Sequence, residues 1–412
     1  MGRAGSVGRV AVLGGGVLGC CTALVLAQRG VRVTIFDRAD RLISRTSTHN
    51  EGKIHFGYVY AGDSSLATAR MMIRGALSFA PFLQRYLDFS PQRVELSSPH
   101  VYVVHANTQR SLDYISGYFG AVHGMIENAA CGKENYYFGA DLRQAPWRWP
   151  DAELVATFNR DKAIAAFQTQ EIAIDPYALA QIVRDRVAAT PTVELRLRHT
   201  VRSVREADDH LMVVSEGPHG PDSDGYDHVV NALWDGRLAI DATLGVRPKR
   251  EWLYRFRYGV RFETHNLPQT LPSLTVVHGP FGGVVCYENG AMYLAWYPVC
   301  KVDSSNSLEP PDWPPHAQEP LRSRVIGGTL RALTEIVPAL GTLDPQSIGR
   351  ASVVGGNIFA WGSTDTDDPN SDLHQRHDIG VVSVGNYHSI DPGKLTLAPY
   401  FAEICASRIV PS

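Results

Sequence analysis

No apolar run in this chain of 412 residues reaches the roughly 18 residues that a helical membrane span requires. Basic residues form no block: 39 Lys and Arg stand against 42 Asp and Glu, for a net charge of -3. That argues against a nucleic-acid surface, which needs a clustered basic face. The six cysteines, Cys20, Cys21, Cys131, Cys286, Cys300 and Cys405, make no C-x-x-C pair and no metal-ligand spacing. Free thiols and no metal are therefore expected. Internal repeats are absent too, which leaves out solenoids and propellers. Together these absences predict a cytoplasmic protein without nucleic-acid or membrane partners. Arg3 and Arg9 precede an apolar stretch as in a secretory leader, but the glycine triplet and second strand that follow fit a leader poorly. With 44% hydrophobic residues the chain can bury a large core, and its length suits two domains.

What is present begins with Val10 to Asp37, "VAVLGGGVLGCCTALVLAQRGVRVTIFD". A short apolar run reads as a buried strand, Gly14, Gly16 and Gly19 make a G-x-G-x-x-G, and an Ala/Leu-rich helix runs to Gln28. Gly30 stops the helix, and a second β-branched run ends on Asp37. Gly14 permits a tight turn, Gly16 a close backbone approach to a pyrophosphate, and Gly19 the packing of helix on strand. The helix N-terminus offers N–H groups and partial positive charge to phosphates, with Val17 and Leu18 in its first turn. Asp37 is placed to accept the ribose hydroxyls of an adenosine and repels a 2′-phosphate, which disfavours NADP. The unit predicts a doubly wound α/β fold that binds a dinucleotide.

Four later blocks carry a resemblance. "STHNEGKIHFG" follows the second strand, "AIDPYALAQIVRDRV" leads into a strand read over Val193 to Val204, and "YDHVVNALWDGR" returns to the sheet. "GVVSVGNYHSIDPGKLTLAP" lies near the end of the chain. In this order they resemble the D-amino-acid-oxidase-like (DAO) family of FAD-dependent oxidoreductases. The resemblance implies non-covalent FAD, held by the glycine turn and by Arg38, Thr48, His49, Asn50, Gly52, Lys53, Val201, Ala232, Gly393, Lys394, Leu395 and Thr396. A histidine anchor at His49 is an alternative; a cysteine anchor is disfavoured because Ala351 to Phe359 holds none. Gly385 and Gly393 are spaced more widely than the family pattern, which implies a longer loop over the flavin ring.

The remaining stretches, Val94 to Trp149 and Trp252 to Pro298, alternate aromatic or branched residues with polar ones and contain Asn-Gly, as antiparallel strands with hairpin turns do. A proline-rich connection leads to a helix over Leu321 to Val337. The prediction is a discontinuous FAD unit, 1–93, 170–245 and 345–412, and a mixed, mostly antiparallel substrate unit, 94–169 and 246–344. The resemblance implies oxidation of a C–N bond in an amino acid or amine by hydride transfer to flavin N5. Oxidation of a 2-hydroxy acid is the rival, because "HNEGKIHFGYVY" also resembles the 2-hydroxyglutarate-oxidising branch; a larger or carrier-bound intermediate is a third reading. His49 or Lys53 is assigned proton handling and Lys394 a positive charge beside the flavin. His55 reads as structural. Arg350 is the expected carboxylate anchor, with Arg257 and Arg261 as rivals on one strand face beside Arg255. Tyr258 and His388 complete the expected substrate residues; Tyr287, Tyr293, Trp296 and Tyr297 are further pocket candidates. The electron acceptor, oxygen or another, and the oligomeric state stay open.

Overall fold

Val10 to Leu13 are fully buried, and a run this short and apolar pairs all its backbone groups only inside a sheet. Accordingly β1 (Arg9–Leu13) lies between β2 (Arg32–Asp37) and His228–Asn231, parallel to both. The computed structural model describes residues 8–88, 94–132, 136–264, 271–279 and 282–411. Arg3 and parts of the strand-rich stretches, at 133–135, 265–270 and 280–281, lie outside them. The first sheet has the order Gly380–Val384, Tyr387–Asp391, His228–Asn231, β1, β2, Val193–Leu197, parallel except for its Gly380–Val384 edge. Helix α1 (Val17–Gln28) follows β1 and packs against Ala398–Ile409, which explains its near-complete burial.

The second sheet is mixed and mostly antiparallel. Its centre is the long strand Trp252–Glu263, which pairs on one side with Ser352–Trp361 and on the other with Ala291–Trp296 and Lys301–Ser305. Gly282–Cys286, Leu274–Val277, Val101–His105, Ala163–Gln168 and Trp147–Arg148 continue it. Asn289-Gly290 turns one hairpin, with Gly290 at φ +81°. Its core joins Val260, Leu274, Val284 and Leu294 to Leu333 and Ile336 of the helix Leu321–Ile336. Among the described residues no helix is long and apolar enough to cross a membrane.

Several local expectations change. Ser352–Trp361 pairs along Trp252–Glu263 over its length, so the second sheet reaches into 345–412, which the prediction gives to the FAD unit. The strand read over Val193 to Val204 breaks at Arg198, φ +57°, and Thr200–Ala207 leaves to form a separate three-stranded sheet. Tyr58–Tyr60 is a 3-10 turn. Within the stretch expected as strands, Leu112–Ala130 is a helix; Ser111 caps it by accepting from Tyr114 N, and its buried face includes Ile115, Tyr118, Phe119, Val122 and Ile126. Gly385 belongs to the turn of the hairpin Gly380–Val384/Tyr387–Asp391. Only Pro392 to Lys394 then separate the sheet from the 3-10 turn Leu395–Leu397, so the loop is short.

Candidate functional site

A cleft of about 350 Å³ runs along the carboxyl ends of the first sheet. Its wall starts at Gly14, Gly16, Val17 and Leu18, passes Asp37 and Arg38, and continues through Val201 and Ala232. The far end is made by His49, Asn50, Lys53, Gly393, Lys394 and Leu395. The glycine turn is sterically closed to side chains: a Cβ on Gly19 would lie 1.8 Å from Gly14 O, and one on Gly14 2.7 Å from Ala232 O. Asp37 Oδ2 accepts from Gly15 N at 2.7 Å and Oδ1 from Ala39 N at 2.8 Å. Burial raises its pKa, against the pull of those two N–H donors. Asn357 also lines the cleft, and its buried Oδ1 has no hydrogen-bond partner among the described residues.

These features fit FAD. Gly14, Gly16 and the start of α1 would hold the pyrophosphate, Asp37 the ribose, and Val201 and Ala232 the adenine side. Gly19, Thr48, Gly52 and Thr396 do not reach the cleft. Gly52 sits at φ +61° with its carbonyl bonded to Ile174 N, and Thr48 Oγ1 donates to Arg45 O. Thr396 Oγ1 accepts from His55 N at 2.9 Å and donates to Lys53 O, tying the two flavin-side segments together. Asn50 folds its own loop, donating to Thr46 O and Ser47 O and accepting from Gly52 N. We expect Asp37→Ala to purify with much less flavin while staying folded. Each charge-assisted hydrogen bond lost to the ribose is worth about 1.5–3 kcal/mol, and the flavin-to-protein absorbance ratio measures the loss. An unchanged ratio removes Asp37 as the ribose ligand.

A second cavity, of about 200 Å³, lies under the large sheet and shares Glu51, Lys53, His55, Arg257, Ile358 and Lys394 with the cleft. Its electrostatics come from the long central strand, where Arg255, Arg257 and Arg261 occupy one face at period two. Arg255 pairs with Asp365, Arg257 with Glu51 and Arg261 with Asp175, each at 2.9 Å. Burial disfavours charge on Glu51, but Arg257, Lys394 and His55 outweigh it and hold the carboxylate ionised. Burial lowers Lys394 to about 8 against the opposing pull of Glu51. Lys53 is buried, hydrogen-bonds Thr275 and lies 5.0 Å over the Tyr102 ring; desolvation lowers its pKa while Glu171 and Glu51 raise it.

His49 and His55 differ in their surroundings. His49 Nδ1 bonds Gly355 O at 2.8 Å, its ring meets His316 edge-on, and burial takes it down to about 4. His55 Nδ1 bonds Glu171 Oε1 at 3.0 Å. Glu171 is 0% exposed and also accepts from Tyr102 OH at 2.6 Å and Phe56 N at 3.0 Å. A carboxylate in that position fixes the ring proton on Nδ1 and leaves Nε2 as an acceptor. Burial keeps the ring neutral, against the pull of Glu171.

The expected substrate residues stand elsewhere. Arg350 is exposed at the end of the short helix Pro345–Gly349 and lines neither cavity. Arg261 is spent on Asp175 and the rings of Tyr177 and Tyr287. Tyr258 points to the opposite face of its strand and donates to Pro314 O. His388 bonds Ser383 Oγ and His228, away from both cavities. Of the aromatic candidates, Tyr293 and Tyr297 line the second cavity, whereas Tyr287 and Trp296 do not. The sequence reading singles out neither Glu171 nor Arg376, and no local pattern marks either of them.

The description "FAD dependent oxidoreductase" (DAO) matches residues 9–406. Glycine oxidase from Geobacillus kaustophilus superposes with a TM-score of 0.69 at 13% identity, covering 97% of this chain and 94% of that one. L-proline dehydrogenase from P. horikoshii gives 0.66 at 15% identity, covering 98% and 93%. At such identities these two establish the fold. FAD-dependent monooxygenase FPY4 of Fusarium mangiferae is 26% identical over 276 residues, 66% of this chain and 59% of that protein. With a cleft that fits FAD and a match running almost from end to end, the chain belongs to the DAO family of FAD-dependent oxidoreductases, and FAD is its cofactor.

Proposed function

We propose that the chain oxidises the C–N bond of a small amine or amino acid. The observation that carries this reading is the small cavity that meets the cofactor cleft at six shared residues. Bound FAD supplies the ring that takes the hydride. The chain supplies the place and the charges. Val276, Val277, Val285 and Leu373 give the cavity an apolar wall that keeps water from the reacting carbon. His55 Nε2 takes the proton that a substrate ammonium loses before its carbon gives up hydride, because only the free amine has the lone pair that drives that loss. Lys394 brings positive charge to the boundary of the two spaces. The names of two fold neighbours, a glycine oxidase and an L-proline dehydrogenase, agree with C–N chemistry.

The His55–Glu171 pair favours a second reading, oxidation of a 2-hydroxy acid, because an alcohol also needs a base for its O–H proton. Products separate the two. With a dye as electron acceptor, C–N oxidation releases a carbonyl compound and an equal amount of ammonia or amine, since the imine formed hydrolyses. We expect that pair of products from a panel of small amines and amino acids. A carbonyl product from 2-hydroxy acids alone, with no amine released, moves the function to the second reading.

A further inference from the structure

The proline-rich connection leaves the large second sheet and crosses to the mouth of the cofactor cleft. Residues 306–317, "NSLEPPDWPPHA", form neither helix nor strand. Pro310-Pro311 and Pro314-Pro315 bracket Asp312 and Trp313. Each proline fixes its own φ and keeps the residue before it extended, so the segment spans as a stiff rod. Its second half is pinned. The Trp313 ring lies 5.3 Å from that of Phe256, and its Nε1 donates to Asp303 Oδ2 at 2.9 Å. Pro314 O accepts from Tyr258 OH and Pro315 O from Gly355 N, each at 2.8 Å, and Ala317 N donates to Val353 O at 3.0 Å. The stretch 308–312 is held differently. Glu309 lines the cleft, and Asp312 Oδ1 lies 3.1 Å from Arg45 Nη2 and 3.8 Å from Arg38 Nη2. Both arginines follow β2 and line the cleft. Among the described residues no other hydrogen bond or ion pair ties 308–312 to the chain outside 306–317.

We propose that 306–312 is a strap that closes the cleft over bound FAD, and that Asp312 is the latch that fastens it to Arg38 and Arg45. While the latch is shut FAD neither leaves nor enters. When it parts, the strap lifts as a unit, because its prolines keep it stiff and Trp313 stays seated on Phe256. The Asp312 side chain is 75% exposed, so its ion pairs are weak and screened by salt, which suits a closure that must open. FAD release then follows the population of the opened form. The latch pairs protein with protein, so weakening it speeds entry and exit alike and leaves the affinity for FAD close to its parental value.

The test measures FAD release from the loaded enzyme, as the gain in flavin fluorescence on dilution, and FAD uptake by the full chain freed of flavin. Asp312→Ala should raise both rates about threefold, and Asp312→Lys, which sets a cation against the two arginines, about tenfold. The Kd for FAD should stay within about twofold of the parent in each. Raising NaCl from about 0.05 M to about 0.5 M should speed release from the parent more than from Asp312→Ala. Substrate oxidation per bound flavin should keep its parental rate in both variants. Parental release and uptake in Asp312→Lys overturn the strap. Slower release in Asp312→Ala overturns it too, because Asp312 would then compete with FAD for the arginines. Faster release with unchanged uptake, and therefore a weaker affinity, makes Asp312 a support of the bound state alone and overturns the gate. Flavin that stays on the chain after acid leaves the strap nothing to retain and overturns it as well.

Discussion

Gly19→Ala is expected to purify without bound flavin and to melt well below the parent. The added Cβ would stand 1.8 Å from the carbonyl oxygen of Gly14 and 3.3 Å from Val12 Cγ1. The first obstacle is backbone, so no flexible side chain can swing aside to make room. Either α1 lifts off β1 or the Gly14 turn reshapes, and that turn has no slack: Gly14 is at φ +102° with Ala232 O directly behind it. Lifting the helix also strips contacts from a core that includes Val12, Leu24, Val25 and Ala402. Overpacking of this kind costs about 1–3 kcal/mol even in cores that adapt, and here the same shift misplaces the N–H groups that would hold the pyrophosphate. Flavin content and thermal melting measure both effects. A yellow Gly19→Ala protein with parental flavin content would show that the turn is not the pyrophosphate cradle.

Replacing Glu171 should be the most damaging single change outside the glycine turn. Its carboxylate is fully buried and satisfies three donors, from His55, Tyr102 and Phe56. Glu171→Ala leaves all three without a partner, and each buried donor left unsatisfied costs about 1–3 kcal/mol. Glu171→Gln keeps the shape and should cost less, but it removes the negative charge that sustains His55 as a base, so substrate oxidation slows in a protein that still binds flavin. The pH dependence follows from the direction of the shift. Burial opposes the charge on Glu171, yet His55, Lys53 and Tyr102 prevail and lower its folded-state pKa. The stabilisation is therefore complete above the unfolded carboxyl pKa, about 4.3, and is lost as pH falls through the lower folded value. The stability gap between parent and Glu171→Gln should be full at pH 7 and shrink below about pH 4. Equal stability of the two proteins at pH 7 would contradict this account of Glu171.

The parts of the site that were legible in sequence are those whose partners lie close along the chain. Gly14 to Asp37 folds as one strand, turn, helix and strand, so each residue's place follows from local geometry. The polar "HNEGK" segment stood out for the same reason. The second cavity is assembled from distant pieces: His55 meets Glu171 across 116 residues, and Arg376 joins Arg255 only because Gly362 to His377 folds back over the cavity. Periodicity carried more than the expectation used. Arg255, Arg257 and Arg261 do share one face, and the same alternation puts Tyr258 on the other. Arg350 failed for a positional reason. Asp344 caps the short helix before it, so Arg350 precedes Ser352–Trp361, while the cofactor cleft takes Gly356, Asn357 and Ile358 from further along that strand. At roughly 3.3 Å per residue that separation is too great for a side chain to span.

The most direct measurement is anaerobic. The purified yellow protein is mixed without oxygen with small amino acids and amines, and with 2-hydroxy acids, and the flavin absorbance is followed. At least one amine or amino acid should bleach the flavin, and acid should then release FAD with none left on the chain. Flavin that keeps its colour against every amine and every 2-hydroxy acid would contradict the assignment of the second cavity as the site of a small substrate.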